Sequence, residues 1–200
     1  MFVGTATEIF TENILKNKNI IRIALVTAFL LLIPLVAMQF DMGVDWNLFD
    51  FIVAGALLFA SGLTYELIAR RAGNGAYRAA VGVAVAAALL LVWINLAVGI
   101  IGSEDNPANL MYFGVLFVGI VGAIFARLRP RGMARALFAA AFAQALVPVI
   151  ALVIGKSQSM QEPPGMLGVL ALNVFFVMLF AGSALLFRHS AQAGSEMGAA

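Results

Sequence analysis

Few side chains in this sequence could do chemistry within an apolar surround, and each stands alone on a long hydrophobic run. Glu66 is the one carboxylate inside such a run, while Asn95, Gln144 and Asn173 are carboxamides on three others. An unpaired polar group is costly in lipid, so these four are the default pointers to a solute or proton pathway. Glu66 precedes Arg70 by four residues, one helical turn, and reads as an intrahelical ion pair snorkelling to the interface rather than a relay. Asn95, Gln144 and Asn173 could meet between helices, where hydrogen bonds adding about 0.6 kcal/mol each make them structural glue.

A second set of oxygen donors lies between the runs: Asp41, Asp45, Asp50, Glu104, Asp105 and Glu162. They offer ligands to a divalent cation, or to a membrane enzyme, but no spacing resembles a calcium loop, so no metal site is assigned. His189 is the single histidine and cysteine is absent, which excludes a His cluster and a thiolate site. His189 could ligate a pigment or haem presented by a partner chain, yet an interfacial histidine accounts for it as well. No catalytic residue and no cofactor follow from these residues.

The acidic turn Glu104-Asp105-Asn106-Pro107 has a local explanation. Asn106 is placed to accept from the free amides of a helix starting just after it, and Pro107 suits the first helical position. Glu104 and Asp105 sit by the positive pole of that helix, with Arg127 and Arg129 beyond its negative end. Asn106-Pro107-Ala108 also resembles the signature of aquaporins, but a single copy at a surface turn is fully explained by capping, and a channel of that kind is rejected.

The elements that carry these residues follow from composition. With 63% hydrophobic and 11% charged residues, and a mean hydropathy of +1.02, the chain is too apolar for a soluble domain of its size. Its apolar runs are near the twenty residues that cross a bilayer as helix, and too long for barrel strands. The fold class is all-α, a polytopic membrane helix bundle. Six transmembrane helices are expected over about 20–40, 48–69, 79–101, 110–126, 133–154 and 166–187, with Pro34 inside the first and Pro148 inside the fifth. Residues 1–19 form an N-terminal interfacial segment and 188–200 a tail. Thr5 and Glu8 fit a capping box there, and Ile9, Phe10, Ile14 and Leu15 fit one side of a short surface helix. No cation opens the chain, so no cleavable signal peptide is expected. Asp45 is read as the cap of the second crossing, and Trp46 as an interface residue.

The basic residues sort by side. Lys16, Lys18, Arg22, Arg70, Arg71, Arg78, Arg127, Arg129, Arg131, Arg135 and Arg188 fall on one side of the six crossings, against Lys156 alone on the other. By the positive-inside rule that side is cytoplasmic and both termini face inward. Dispersed at helix ends, these residues form no nucleic-acid face. Arg22, Arg78 and Arg135 recur at spacings of 56 and 57, as three sequential helical hairpins would produce. Ala80, Ala84 and Ala88, Gly119 with Ala123, Ala139 with Ala143, and Ala141 with Ala145 are small residues at helical spacing, suited to close helix contact.

The stretch Trp93 to Tyr112, with Ala126-Arg127 and Gly132 to Ala136, resembles segments of an uncharacterised family of small bacterial polytopic inner-membrane proteins. The resemblance spans about residues 93–136. It implies a bacterial inner-membrane location and brings no activity with it. The expected partners are the lipid bilayer and other membrane subunits, or a second copy. Three functions are weighed: an accessory or assembly subunit acting by helix contact, a small transporter for an apolar or weakly polar solute, and an enzyme using the outer carboxylates.

Overall fold

The computed structural model of the protein describes residues 3–40, 43–154 and 164–197, with side chains over 18–40, 43–154 and 164–193. Its long elements are α1 (Val3–Gln39), α2 (Leu48–Ala69), α3 (Gly75–Ala97), α4 (Leu110–Ala126), α5 (Pro130–Val153) and α6 (Gly165–Met197). The chain is all-α among the described residues, and all six helices are long and apolar enough to cross a membrane. It is a multi-pass membrane protein. The side chains of Thr5, Glu8, Ile9, Phe10, Ile14, Leu15 and Lys16 lie outside the described residues, as do Asp41, Lys156 and Glu162.

Helix ends depart from the sequence reading where a side chain or a special dihedral takes over. α1 runs unbroken from Val3 through Pro34 to Gln39, and α6 continues past Arg188 and His189 to Met197. The cap of α2 is Asn47, not Asp45: Asn47 Oδ1 accepts from the amides of Phe49 (2.7 Å) and Asp50 (3.2 Å), and Asp50 Oδ2 accepts from Asn47 N (2.8 Å). This is a reciprocal capping box. Trp46 and Phe51 meet edge to face across it at 5.3 Å, stapling the chain's entry. α3 starts at Gly75, earlier than expected, because Asn74 Oδ1 accepts from Tyr77 N at 3.0 Å. α5 starts at Pro130. A residue that ends one helix by lacking an amide opens the next for the same reason.

Contacts divide the chain into two compact units, Met1–Leu67 and Ile68–Ala200. In the first, α1 and α2 touch where α2 has glycine: a Cβ on Gly62 would fall 2.8 Å from Ile23 Cγ2, and one on Gly55 3.3 Å from Leu31 Cδ1. In the second, α5 packs on both α4 and α6, and α3 packs on α6. α3 and α4 touch little, so of the two serial hairpins that the arginine spacing predicts in this unit α5–α6 forms and α3–α4 does not. The reason is in α3's buried face: Ala80 and Ala87 are fully buried, and Ser183 Oγ of α6 donates to the Ala80 carbonyl at 2.8 Å. The closest approach is α4 on α5, where a Cβ on Gly122 would lie 2.6 Å from Ala136 Cβ and 3.1 Å from its Cα. Ala136, Ala140 and Ala141 are buried while Ala139 and Ala145 are exposed, so small residues pack in a different register from the expected pairs.

Candidate functional site

The buried stripe of α5 that carries Ala136 and Ala140 continues to Gln144, which is fully buried. Asn173 lies on α6, four residues after Val169, and its Nδ2 donates back to the Val169 carbonyl at 2.8 Å. Tyr112 occupies the first turn of α4 and is also buried. These three meet: Gln144 Nε2 donates to Asn173 Oδ1 (3.0 Å), and Asn173 Nδ2 donates to the Tyr112 hydroxyl oxygen (2.9 Å). One carboxamide thus joins α4, α5 and α6. Its two donor hydrogens and its acceptor are all engaged, the condition under which a buried polar group is tolerated. Gln144 Oε1, however, is buried with no hydrogen-bond partner. A carboxamide cluster orients and binds; it does not exchange protons near neutrality.

The four polar residues singled out in sequence fall in three places. Gln144 and Asn173 are brought together. Asn95 is not with them: its Nδ2 donates to the Leu91 carbonyl of its own helix at 2.8 Å, and its Oδ1 is a second buried acceptor with no partner. Glu66 belongs to the first unit, where its Oε1 accepts from Asn19 Nδ2 of α1 at 2.6 Å. Tyr112 and Asn19 were missed by a reading that searched the apolar runs for amides and acids alone. Tyr112 sits in the first turn of α4 and Asn19 just before the apolar run of α1, where tyrosine and asparagine look like ordinary interface residues.

Beside the polar cluster, the turn before α4 is held by a residue that capping logic passes over. Asn106 Oδ1 accepts from Ala108 N (3.1 Å) and Pro107 opens a single 3-10 turn, Pro107–Asn109, rather than α4 itself. Asn109 is buried, and its Oδ1 accepts from the amides of Ile100 (3.1 Å) and Ile101 (2.9 Å). Its Nδ2 donates to the carbonyls of Ser103 (2.8 Å) and Ile101 (3.4 Å). Because of this clamp α3 ends at Ala97 and not at Ile101, and Ile100 and Ile101 are fully buried in a non-helical turn. Gly99 makes the turn at φ +72°, with Ser103 C and O 2.6 Å from where a Cβ would sit. Glu104 and Asp105 project from it, exposed.

At the opposite helix ends, Asn74 Nδ2 donates to the Ser190 carbonyl (3.0 Å) and the Tyr77 hydroxyl donates to the Leu128 carbonyl (2.7 Å). Tyr77 also meets Phe187 edge to face at 5.1 Å. Leu128 and Arg127 both have positive φ, 59° and 48°, a conformation that non-glycine residues hold only when their surroundings impose it. Among the described residues no three of His, Cys, Asp and Glu are grouped to hold a metal ion. Asp50 is engaged in the α2 capping box, and Asp45 and His189 are exposed.

No protein-family model matches the chain, and no curated protein and no solved structure is similar to it.

Proposed function

We propose that the chain is a non-catalytic integral protein of a bacterial inner membrane, with both termini cytoplasmic, acting by helix contact as an accessory or assembly subunit of a larger membrane complex. The observation that carries this reading is unequal burial. In the most apolar 18-residue stretches of α1 and α2 only 6% of residues are buried, against 44% in that of α5. Phe29, Ile33 and Ile52 are each more than half exposed, leaving two helices with broad apolar faces for the helices of a partner subunit. In the second unit Gln144, Asn173, Tyr112 and Ser183 bond to one another or to backbone across helices, as a packed scaffold requires. The resemblance over 93–136 supports the bacterial location, and the basic helix ends support the sidedness.

Extraction from native membranes under mild detergent, followed by native electrophoresis, tests the role. The chain is expected to migrate with other membrane subunits, and to lose them when Phe29, Ile33 and Ile52 are replaced together by alanine. Migration as a lone chain overturns it.

A transporter for a weakly polar solute is the second reading, and the unpartnered Gln144 Oε1 inside the unit favours it. Under that reading Gln144→Leu stops solute movement while the protein remains abundant. Normal uptake by that variant removes it.

A further inference from the structure

We propose that a groove between the arginine-rich start of α5 and the Arg188 turn of α6 binds the phosphate of an anionic phospholipid headgroup. Arg131, Ala134, Arg135 and Phe138 follow one stripe of α5, and Arg188, Ala191 and Gln192 follow one stripe of α6. Between the stripes lies an open groove of about 440 Å³. Three guanidiniums line it, all on exposed residues, and no carboxylate is among its lining residues that are described. Like charges gathered in one concavity repel unless an anion joins them, and its field concentrates anions there.

A second feature of the same place asks for an acceptor. α5 begins here, with Arg129 at its cap position making no side-chain cap hydrogen bond and Pro130 next. Helix starts leave amide donors in need of partners and carry the positive pole of the dipole. Arginine cannot supply the missing acceptor, whereas a phosphate oxygen can, and the guanidinium fork matches phosphate in a bidentate manner. Sidedness by itself needs arginines near this end of the helices. It does not need three of them around one groove at an uncapped helix start.

The groove also has a direction. Phe138 lies on the Arg131 stripe about 10 Å further along α5, at 1.5 Å per residue, deeper in the span than Arg131 and Arg135, while Ala134 lies between those two arginines and Ala191 beyond Arg188. Charge at one end and hydrocarbon toward the other match a phospholipid, whose phosphate lies at the surface with its glycerol and chains beneath. Basic pockets between membrane helices recognise lipid headgroups in this way. Free phosphate would use only the mouth.

The inference depends on the chain being embedded in a bilayer and not on its having a partner subunit. The test uses the purified full chain in neutral detergent, titrated separately with short-chain phosphatidylglycerol, short-chain phosphatidylcholine and inorganic phosphate, with melting temperature as readout. Phosphatidylglycerol is expected to raise it saturably, the other two to leave it unchanged. Replacing Arg131, Arg135 and Arg188 together by glutamine is expected to raise the half-saturating concentration about tenfold or more, from about 1 kcal/mol per arginine near a surface partly offset by screening. Replacing Arg22, Arg71 and Arg78 removes equal charge elsewhere and leaves the titration as it was. If the glutamine variant fails to insert, the triple lysine variant keeps charge and sidedness but loses the fork, and a severalfold weaker response is expected. Equal weakening by both sets of glutamine substitutions, an unaltered response in the lysine variant, or stabilisation by inorganic phosphate as strong as by the lipid would each overturn the proposal.

Discussion

The α1–α2 hairpin and the four-helix unit are alike in apolar character, and all their helices qualify as membrane spans. They differ in what holds them. In the four-helix unit side chains reach across the fold: Gln144 to Asn173 to Tyr112, Ser183 to Ala80, Tyr77 to Leu128 and Asn74 to Ser190. Among the described side chains of the hairpin, the contacts include a pair of glycine notches, a side-chain bond from Asn19 to Glu66, and a cap at the start of α2 closed within its own first turn. Hydropathy reports that a helix enters the bilayer. It does not report whether the helix then finds protein or lipid on its faces, because both neighbours are equally apolar.

The largest single-residue effect expected from this difference belongs to Asn109. Replacing it by leucine leaves the buried amides of Ile100 and Ile101 without acceptors and the Ser103 carbonyl without its side-chain donor. At about 1–3 kcal/mol for each stranded group, a loss of roughly 3 kcal/mol or more is expected. Denaturation in mixed micelles, monitored by Trp93 fluorescence at the end of α3, measures it. A loss below about 1 kcal/mol would mean that the turn is held by burial of the two isoleucines, and that polar clamping does not distinguish the four-helix unit.

Next comes Gly122. A Cβ there meets the Ala136 Cβ at 2.6 Å and its Cα at 3.1 Å, both parts of a helix and neither able to swing away. Gly122→Ile should push α4 from α5 and cost about 1–3 kcal/mol as overpacking, with Tyr112 drawn away from Asn173 as a secondary effect. Gly114 has open space where a Cβ would stand, so Gly114→Ile should change stability by less than about 0.5 kcal/mol. The pair, compared by thermal melting in detergent, sharpens the contrast between a helix face that meets protein and one that does not.

What the residue order revealed and what it concealed divides along the same line. Apolar run length is a one-dimensional property, so the number of crossings and the bounds of α2 and α4 could be read directly. Local capping was half legible. Asn106 caps and Pro107 opens as expected, though a 3-10 turn and not α4 itself, and the cap of α2 is Asn47 where Asp45 was expected, two residues early, because both residue types cap equally well. Partner choice was not legible. Gln144 and Asn173 are 29 residues apart and Tyr112 is 61 from Asn173, and nothing in spacing distinguishes them from Asn95, which bonds its own helix. Asn109 was hidden for another reason: its function depends on the preceding chain leaving the helix at Gly99, and the apolar Ile100 and Ile101 disguise that exit as a continued span.

The smallest expected effect tests the hairpin side of the contrast. Asn47→Ala removes the acceptor for the amides of Phe49 and Asp50 at an exposed helix start, and the cap is worth about 1 kcal/mol. Since both partners lie within three residues, the loss should remain local. Amide exchange at Phe49 and Asp50 should quicken about fivefold, the equivalent of that free energy at room temperature, while the global melting temperature stays put. Asn47→Asp restores the acceptor and should return exchange to its original rate. If the alanine variant instead lowers the melting temperature as Gly122→Ile does, the start of α2 is coupled to the rest of the chain, and the hairpin is no more loosely held than the helices that follow it.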